Sequence, residues 1–559
     1  MEQLSLESER LVRAIPALKT LLTYPTLGAY FGDKTKDLPQ TVFGVDRDLF
    51  LSVIGEEVTR LYQDSDLADQ VVAQLKEFPV LENGTHLSFF KTHDTPDGDD
   101  LRARLGQNIV ISAGVCKAQG YPLHIGAYAS NASLRKSSSA GYFQLGKRLF
   151  PVAKNSIFQN SFLLGLGPIS KDYFNETVCL IAKLDLLERY LATKDTVTSE
   201  EEITRKTVQD LLCPLSGKNP TYAGVENAYK NYNKKKIQAL EAAFVRYQPL
   251  VKEKYGVGFV EIEQAYHELA PIFERDDLTL ADQTALIQSK QINGLLEGTG
   301  ITHVEVDSAR VAQLFLKKAL QNPDSFWYRL FSNAQDFSRF QQTLSGLRSG
   351  WEETESPFNQ FTYDPKKKAY GIRRLPLLAF SHTPEATLDA LEKQEIIPSC
   401  VLTVLLFQSA GLVAHGGYFQ SSYATKALSR FQNFLKEYGA ESQAQALSHL
   451  PVDLIFLSLG TEVDAKGRPL TLPEIARLPV AERQGILNRV ATYSPVQALN
   501  NTAPVLNQYL DENAPGYLGD PIPAVHVSTQ VEAPVSCQPD KPKKGENKTP
   551  FCIIKGISR

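Results

Sequence analysis

Residues 85–142 run THLSFFKTHDTPDGDD and then LRARLGQNIVISAGVCKAQGYPLHIGAYASNASLRKSSSAGY, and the change of period along this stretch decides the fold. His86-Leu-Ser-Phe-Phe has the short apolar character of a strand, which ends in a polar loop at His93. Leu101 to Gln119 has helical character, and Tyr121 to Ala129 is a second strand. Strand, polar loop, helix, strand is an α/β arrangement, in which sites commonly occupy the loops after strands.

Working outward, Ser5 to Tyr24 carries apolar residues at helical spacing. Arg47 to Tyr62 places Leu49, Val53, Ile54 and Val58 on one helical face, and Leu67 to Phe78 predicts a further helix. From Ala223 to Tyr255 a long charged helix is expected, with Lys234, Lys235 and Lys236 on a solvated face. Strand character returns at Ile301-Thr-His-Val-Glu-Val and near Leu454 to Leu459. A hairpin is expected from Phe358 to Ile372, turning at Asp364-Pro-Lys-Lys-Lys, and a buried helix around Val401. The expected fold is mixed α/β (α+β), a large multi-lobed globular body with a helical insertion. Its divisions are an N-terminal α/β lobe carrying the candidate site (1–195), a mostly helical insertion (196–296), a C-terminal α/β lobe packing on the first (297–519) and a disordered tail (520–559). The tail, rich in Pro, Lys and polar residues, buries too little apolar surface to order itself.

A chain of 559 residues exceeds one ordinary core, and its 43% hydrophobic and 22% charged content is that of a soluble globular protein. The net charge of −4 lacks the basic excess of a dedicated nucleic-acid binder. The opening MEQLSLESER carries glutamates where a signal peptide carries Lys or Arg, and the longest apolar run, Cys400 to Tyr418, is broken by Gln, Ser and Gly. A cytoplasmic protein without a membrane span is expected. Six scattered cysteines (116, 179, 213, 400, 537 and 552) give no CxxC spacing, hence reduced and mostly buried thiols.

The chemistry-bearing residues fall in four segments. In the first, His93-Asp-Thr-Pro-Asp97-Gly98 fits a His-x-x-x-Asp-Gly pattern. This resembles the short signature of the condensation-domain and HxxxD acyltransferase families. The resemblance covers six residues, with Thr92 where many condensation domains have a second histidine, Pro96 inside the motif and no DFGWG-like element elsewhere. It implies that His93 is a general base toward an acceptor amine, hydroxyl or thiol, while Asp97 holds the loop. The same loop also admits other readings. His86, His93, Asp94, Asp97, Asp99 and Asp100 are candidate ligands for a divalent ion, and Asp99 and Asp100 suit a helix N-cap and first turn.

The second segment, Asn131 to Gly141, combines hydroxyls with two cations, so Arg135, Lys136 and Ser138 are candidates for binding an anionic donor group. It lacks the P-loop order. The third, His415-Gly416-Gly417, offers backbone N–H groups for close approach, with Gln420 and Tyr423 as pocket-lining polar residues. In the fourth, His124 is a candidate substrate contact and a conceivable base for Cys116, although a thiol in an apolar helix is usually inert core.

These readings favour a small-molecule enzyme, with acyl or aminoacyl transfer as the preferred subclass. The sequence names no cofactor. The alternatives are a non-catalytic interaction protein that binds a partner through its charged helix and C-terminal tail, and a metal-dependent hydrolase.

Overall fold

The computed structural model describes residues 3–513 apart from 16, 37, 39–42, 84–106, 132–140, 146–147, 155–165, 195, 217–233, 346, 349–352, 355–356, 365–368, 375–382, 416–417 and 452–458. The architecture is mixed α and β. The expected helix at Ser5–Tyr24 is two helices, α1 (Leu6–Ala14) and α2 (Ala17–Leu21), followed by α3 (Leu27–Lys34). The next two expected helices are present as α4 (Gly44–Tyr62) and α5 (Ser65–Glu77). Asp64 starts α5 by accepting a hydrogen bond from the Leu67 N–H, and Gln63, at φ 56°, ends α4 in the left-handed region.

Strand β1 (Val80–Asn83), helix α6 (Asn108–Ala118) and strand β2 (Leu123–Tyr128) give the expected β-α-β order, though the strand expected at His86–Phe90 lies outside the described residues. Strands β3 (Tyr142–Leu145) and β4 (Arg148–Pro151) form a separate antiparallel pair. The stretch expected to be helical holds α7 (Cys179–Ala192, preceded by a π-helical segment), α8 (Ser199–Ser216), α9 (Lys234–Tyr255), α10 (Phe259–Leu269) and α11 (Leu280–Leu295). Strand β5 (Thr302–Asp307) leads into α12 (Ser308–Ala319), α13 (Phe326–Ser332) and α14 (Ala334–Leu344). After the short pair β6 (Leu347–Arg348) and β7 (Glu353–Thr354) comes the expected hairpin, β8 (Phe358–Asp364) with β9 (Ala369–Arg374). Next are α15 (Pro384–Glu392), β10 (Ile396–Pro398), α16 (Cys400–Ser409), β11 (Val413–His415) and α17 (Tyr418–Tyr438). The remaining helices are α18 (Glu441–Leu447), α19 (Leu472–Ala476), α20 (Val480–Val490) and α21 (Pro495–Asn513). The strand expected near Leu454 lies almost wholly outside the described residues.

The centre is a four-stranded, all-parallel sheet in the order β11-β1-β2-β5. It draws strands from both sides of the helical stretch, and the described chain belongs to one compact unit, Met1–Gly519. Parallel sheets are covered on both faces because their crossovers are helical. Helix α6 is buried along nearly its whole length and packs on α20 as well as on the sheet. Gly114 marks the closest approach, since a Cβ there would stand 2.8 Å from the Leu487 carbonyl oxygen. Helices α4, α12 and α16 are tied together by Phe50, which packs on Phe315 and Phe407 at ring-centroid distances of 4.9 and 4.8 Å. Such pairs add about 0.5–1.5 kcal/mol beyond their area.

Among the described residues no strand lies beside the outer edge of β5, and side chains take that place. Asn293 of α11 accepts from the His303 N–H at 2.7 Å and donates to the His303 carbonyl at 2.9 Å. The Tyr62 hydroxyl accepts from the Glu305 N–H at 2.8 Å and donates to the Glu305 carbonyl at 3.1 Å. These contacts satisfy the polar groups that an open edge presents. Buried Arg47 likewise donates to the carbonyls of Ala410 and Leu75, beyond α16 and near the end of α5.

Candidate functional site

Alternation along the parallel strands sorts their residues by face. Leu81, Ile125, Ala127, Val304 and Val306 take one face. The other carries Glu82, His124, Tyr128, His303, Glu305 and Asp307, all nearly inaccessible to solvent. Register sets Glu82 beside Gly126 and Gly126 beside Glu305, and sets His124 beside His303. On the other side, Glu82 is paired in register with His415.

The polar face is closed into a network. His124 Nδ1 meets His303 Nδ1 at 2.9 Å. His124 Nε2 lies 3.0 Å from the Ser112 hydroxyl on α6 and 2.9 Å from Glu82 Oε2. The second Glu82 oxygen accepts from the Asn108 side chain at the start of α6. Among the described residues His303 Nε2 finds no hydrogen-bond partner, and it stands 3.7 Å from Glu305 Oε2. Burial, with His124 adding to it, holds the His303 imidazole well below its ordinary titration range. His303 is therefore neutral at pH 7.

Serine, imidazole and carboxylate meet here, yet the arrangement is not that of a nucleophilic triad. Ser112 and Glu82 both approach Nε2, leaving Nδ1 to His303, whereas a triad uses the two nitrogens separately. Ser112 is also 2% exposed. Cys116 is buried too, and its thiol is pushed up to about 12, chiefly by burial and also by Glu82, so it is not an activated nucleophile.

At the carboxyl ends of β2 and β5 a second cluster forms. The Asp307 carboxylate accepts from the Ala309 N–H at 3.0 Å, capping α12, and from the Ser130 N–H at 3.3 Å. Its other oxygen lies 2.5 Å from the Ser130 hydroxyl. Burial pushes Asp307 up to about 7, with Asp282 and Glu57 adding to the rise and Ser130 opposing it. Nearby, Arg60 binds Glu57 and Asp282 at 2.7 and 2.8 Å, and Arg310 binds Glu57 at 2.9 Å. Among the described residues, no group of three His, Cys, Asp or Glu side chains is arranged to hold a metal ion.

Of the residues singled out in the sequence, His124 belongs to the buried network, with protein groups at both ring nitrogens. His415 is the last residue of β11, and Gln420 and Tyr423 fall early in α17. His93, Asp97, Arg135, Lys136, Ser138, Gly416 and Gly417 lie outside the described residues. Their segments are nonetheless anchored by described neighbours. The 84–106 segment leaves from Asn83, the end of β1, and returns at Gln107 before α6. The 132–140 segment follows β2 through Ser130 and Asn131, and residues 416–417 follow β11. All three depart from carboxyl ends of strands in one parallel sheet.

Glu82, His303, Glu305 and Asp307 went unread in the sequence. Their signal was the alternation His303-x-Glu305-x-Asp307, which a half-exposed strand would carry equally well. The fold is mixed α and β, with a polar layer buried under one face of its four-stranded parallel sheet. In comparisons with known protein families, curated proteins and solved structures, nothing matches this chain. Among the described residues, no helix is long and apolar enough to cross a membrane.

Proposed function

We propose that this protein binds a small molecule at the carboxyl edge of the parallel sheet, outside β1 and β11, and transfers an acyl or aminoacyl group there. The observation that carries the reading is the reversal of strand order at this point. From β1 the chain builds β2 and β5 on one side, then returns to add β11 on the other. Helix α6 follows β1 on the polar face, while α17 follows β11 and packs on α16, which packs on α12. Open α/β sheets bind ligands at the carboxyl ends of their strands where the strand order reverses.

In this reading His93 is the general base and Asp97 shapes its loop. Arg135, Lys136 and Ser138 hold an anionic part of the donor, and Gly416 and Gly417 let the backbone approach the substrate closely. A cytoplasmic setting belongs to the same reading, with buried Cys116 and Cys179 unpaired.

The test is thiol release from a panel of acyl-thioester donors offered with amine and hydroxyl acceptors. A donor turned over by the wild type and not by a folded His93→Ala variant supports the mechanism. Equal turnover by both would remove His93 from the chemistry.

A further inference from the structure

A cavity of about 270 Å³ opens beside the start of the π-helical segment (Tyr173–Val178) that precedes α7. Its walls are held in place from behind. Ile169 donates its N–H to Gln283 Oε1 and accepts from Gln283 Nε2, both at 3.1 Å, and Gln283 is fully buried on α11. The Tyr173 hydroxyl donates to the Lys154 carbonyl at 2.9 Å, and Phe174 stacks on Phe273 with ring centroids 3.9 Å apart. π-helical turns are rare and occur frequently at functional sites.

The polar lining is unbalanced. Asp172 and Glu176 lie one turn apart, and neither makes a hydrogen bond or ion pair among the described residues. Like charges at this spacing repel. Lys171 is engaged elsewhere, with Glu274 at 2.6 Å. Asp172 sits in the first helical turn, where the positive end of the helix favours an acid, but Glu176 lies beyond that turn. Thr177 is only 4% exposed, yet it lines the cavity with a hydroxyl that has no hydrogen-bond partner among the described residues. The Ser170 oxygen accepts from the Tyr173 N–H at 3.1 Å and keeps a further lone pair for a donor.

We propose that this cavity binds the ammonium group of a small aliphatic amine. An ammonium group carries three donors and no acceptor, which matches a lining of two carboxylates and two hydroxyls. Pro168, Ile169 and the Tyr173 ring give its carbon chain an apolar wall. Two full negative charges outweigh the roughly half positive charge of a helix start. A metal ion is the weaker match, since only two acids line the cavity and no group of three ligands forms among the described residues. The volume lies below the roughly 300–1,000 Å³ of sites for drug-sized ligands, so the amine is a short one. The proposal does not rest on acyl transfer at the sheet.

Saturation-transfer NMR on the full chain, with n-butylammonium as probe at pH 7.5 and physiological ionic strength, tests the site. Saturable binding is expected, with none for uncharged n-butanol. Asp172→Asn and Glu176→Gln, both at exposed positions, should each weaken it about fivefold, the upper range for an exposed ion pair. Thr177→Val, which keeps the side-chain shape, should weaken it as well. Glu268→Gln removes an exposed charge outside the lining and should leave binding unchanged. Circular dichroism confirms the fold of each variant. Absence of saturable butylammonium binding overturns the proposal. Equal binding of n-butanol, or a loss in Glu268→Gln as large as in Glu176→Gln, also overturns it. Calcium binding that Asp172→Asn and Glu176→Gln abolish, without amine binding, overturns it in favour of a metal site.

Discussion

His124 and His303 face each other Nδ1 to Nδ1 at 2.9 Å across adjacent parallel strands, so one imidazole donates and the other accepts. Two cationic rings are incompatible with this contact, because both Nδ1 atoms would then carry hydrogen. Burial holds His303 neutral. The pair thus fixes a proton arrangement inside a layer with no access to water.

This neutrality gives a pH dependence with a definite sign. The unfolded chain protonates His303 near pH 6.5, whereas the folded protein does so only well below that value. Stability is therefore lost as pH falls below about 6.5, by up to ~1.4 kcal/mol per pH unit. His303→Gln, which cannot titrate, should remove that increment. Urea denaturation of both proteins from pH 7 to pH 5 should show wild type losing stability relative to the variant. Parallel curves would mean that His303 titrates normally.

Glu82 supplies the carboxylate facing His124 and accepts from Asn108, all within the interior. Removing the carboxylate strands the buried Asn108 amide and the His124 ring nitrogen, at about 1–3 kcal/mol for each group left without a partner. Glu82→Ala should lower unfolding free energy by that order. A loss under 1 kcal/mol would show that His124 does not depend on the carboxylate.

Tyr62 occupies the free edge of β5 through one hydroxyl serving both Glu305 backbone groups. Tyr62→Phe keeps the ring and strands an N–H and a carbonyl, at about 1–3 kcal/mol. Exchange at the Glu305 amide should accelerate, while the amides of β1 stay protected. Unchanged exchange at Glu305 would mean that water replaces the phenol without cost.

Gly141 has φ +103°, and a Cβ there would stand 2.5 Å from Thr284 Cγ2. Gly141→Ala meets both an unfavourable backbone and a clash, so a loss of about 2–4 kcal/mol is expected. Adding Thr284→Ser deletes the clashing methyl and should recover only part of it. Full recovery would assign the cost to the clash alone, and none would assign it to the backbone.

Much of the secondary structure was legible because its signals are local. Asp64, Thr279, Ser325, Thr383 and Ser399 cap helices by accepting from N–H groups two to three residues ahead. The hairpin β8–β9 followed from two short runs around a turn. The break between α1 and α2 was missed, since the apolar spacing continues across Ile15.

The site divides differently. The sequence alone marked His124, the 131–141 segment and the His415 glycines as chemistry-bearing, because residue type and spacing are local properties. It also read α6 followed by β2, while the strand it placed before them, at His86–Phe90, lies outside the described residues and β1 went unread. Only the tertiary structure decided that β5 and β11 join them, setting Glu82 beside residues more than 300 positions away in the chain. It alone buried His303, Glu305 and Asp307, whose alternation suits a strand with one face in water. Strand pairing over such separations rests on backbone hydrogen bonds that any sequence can make, and burial of both faces depends on helices supplied from elsewhere.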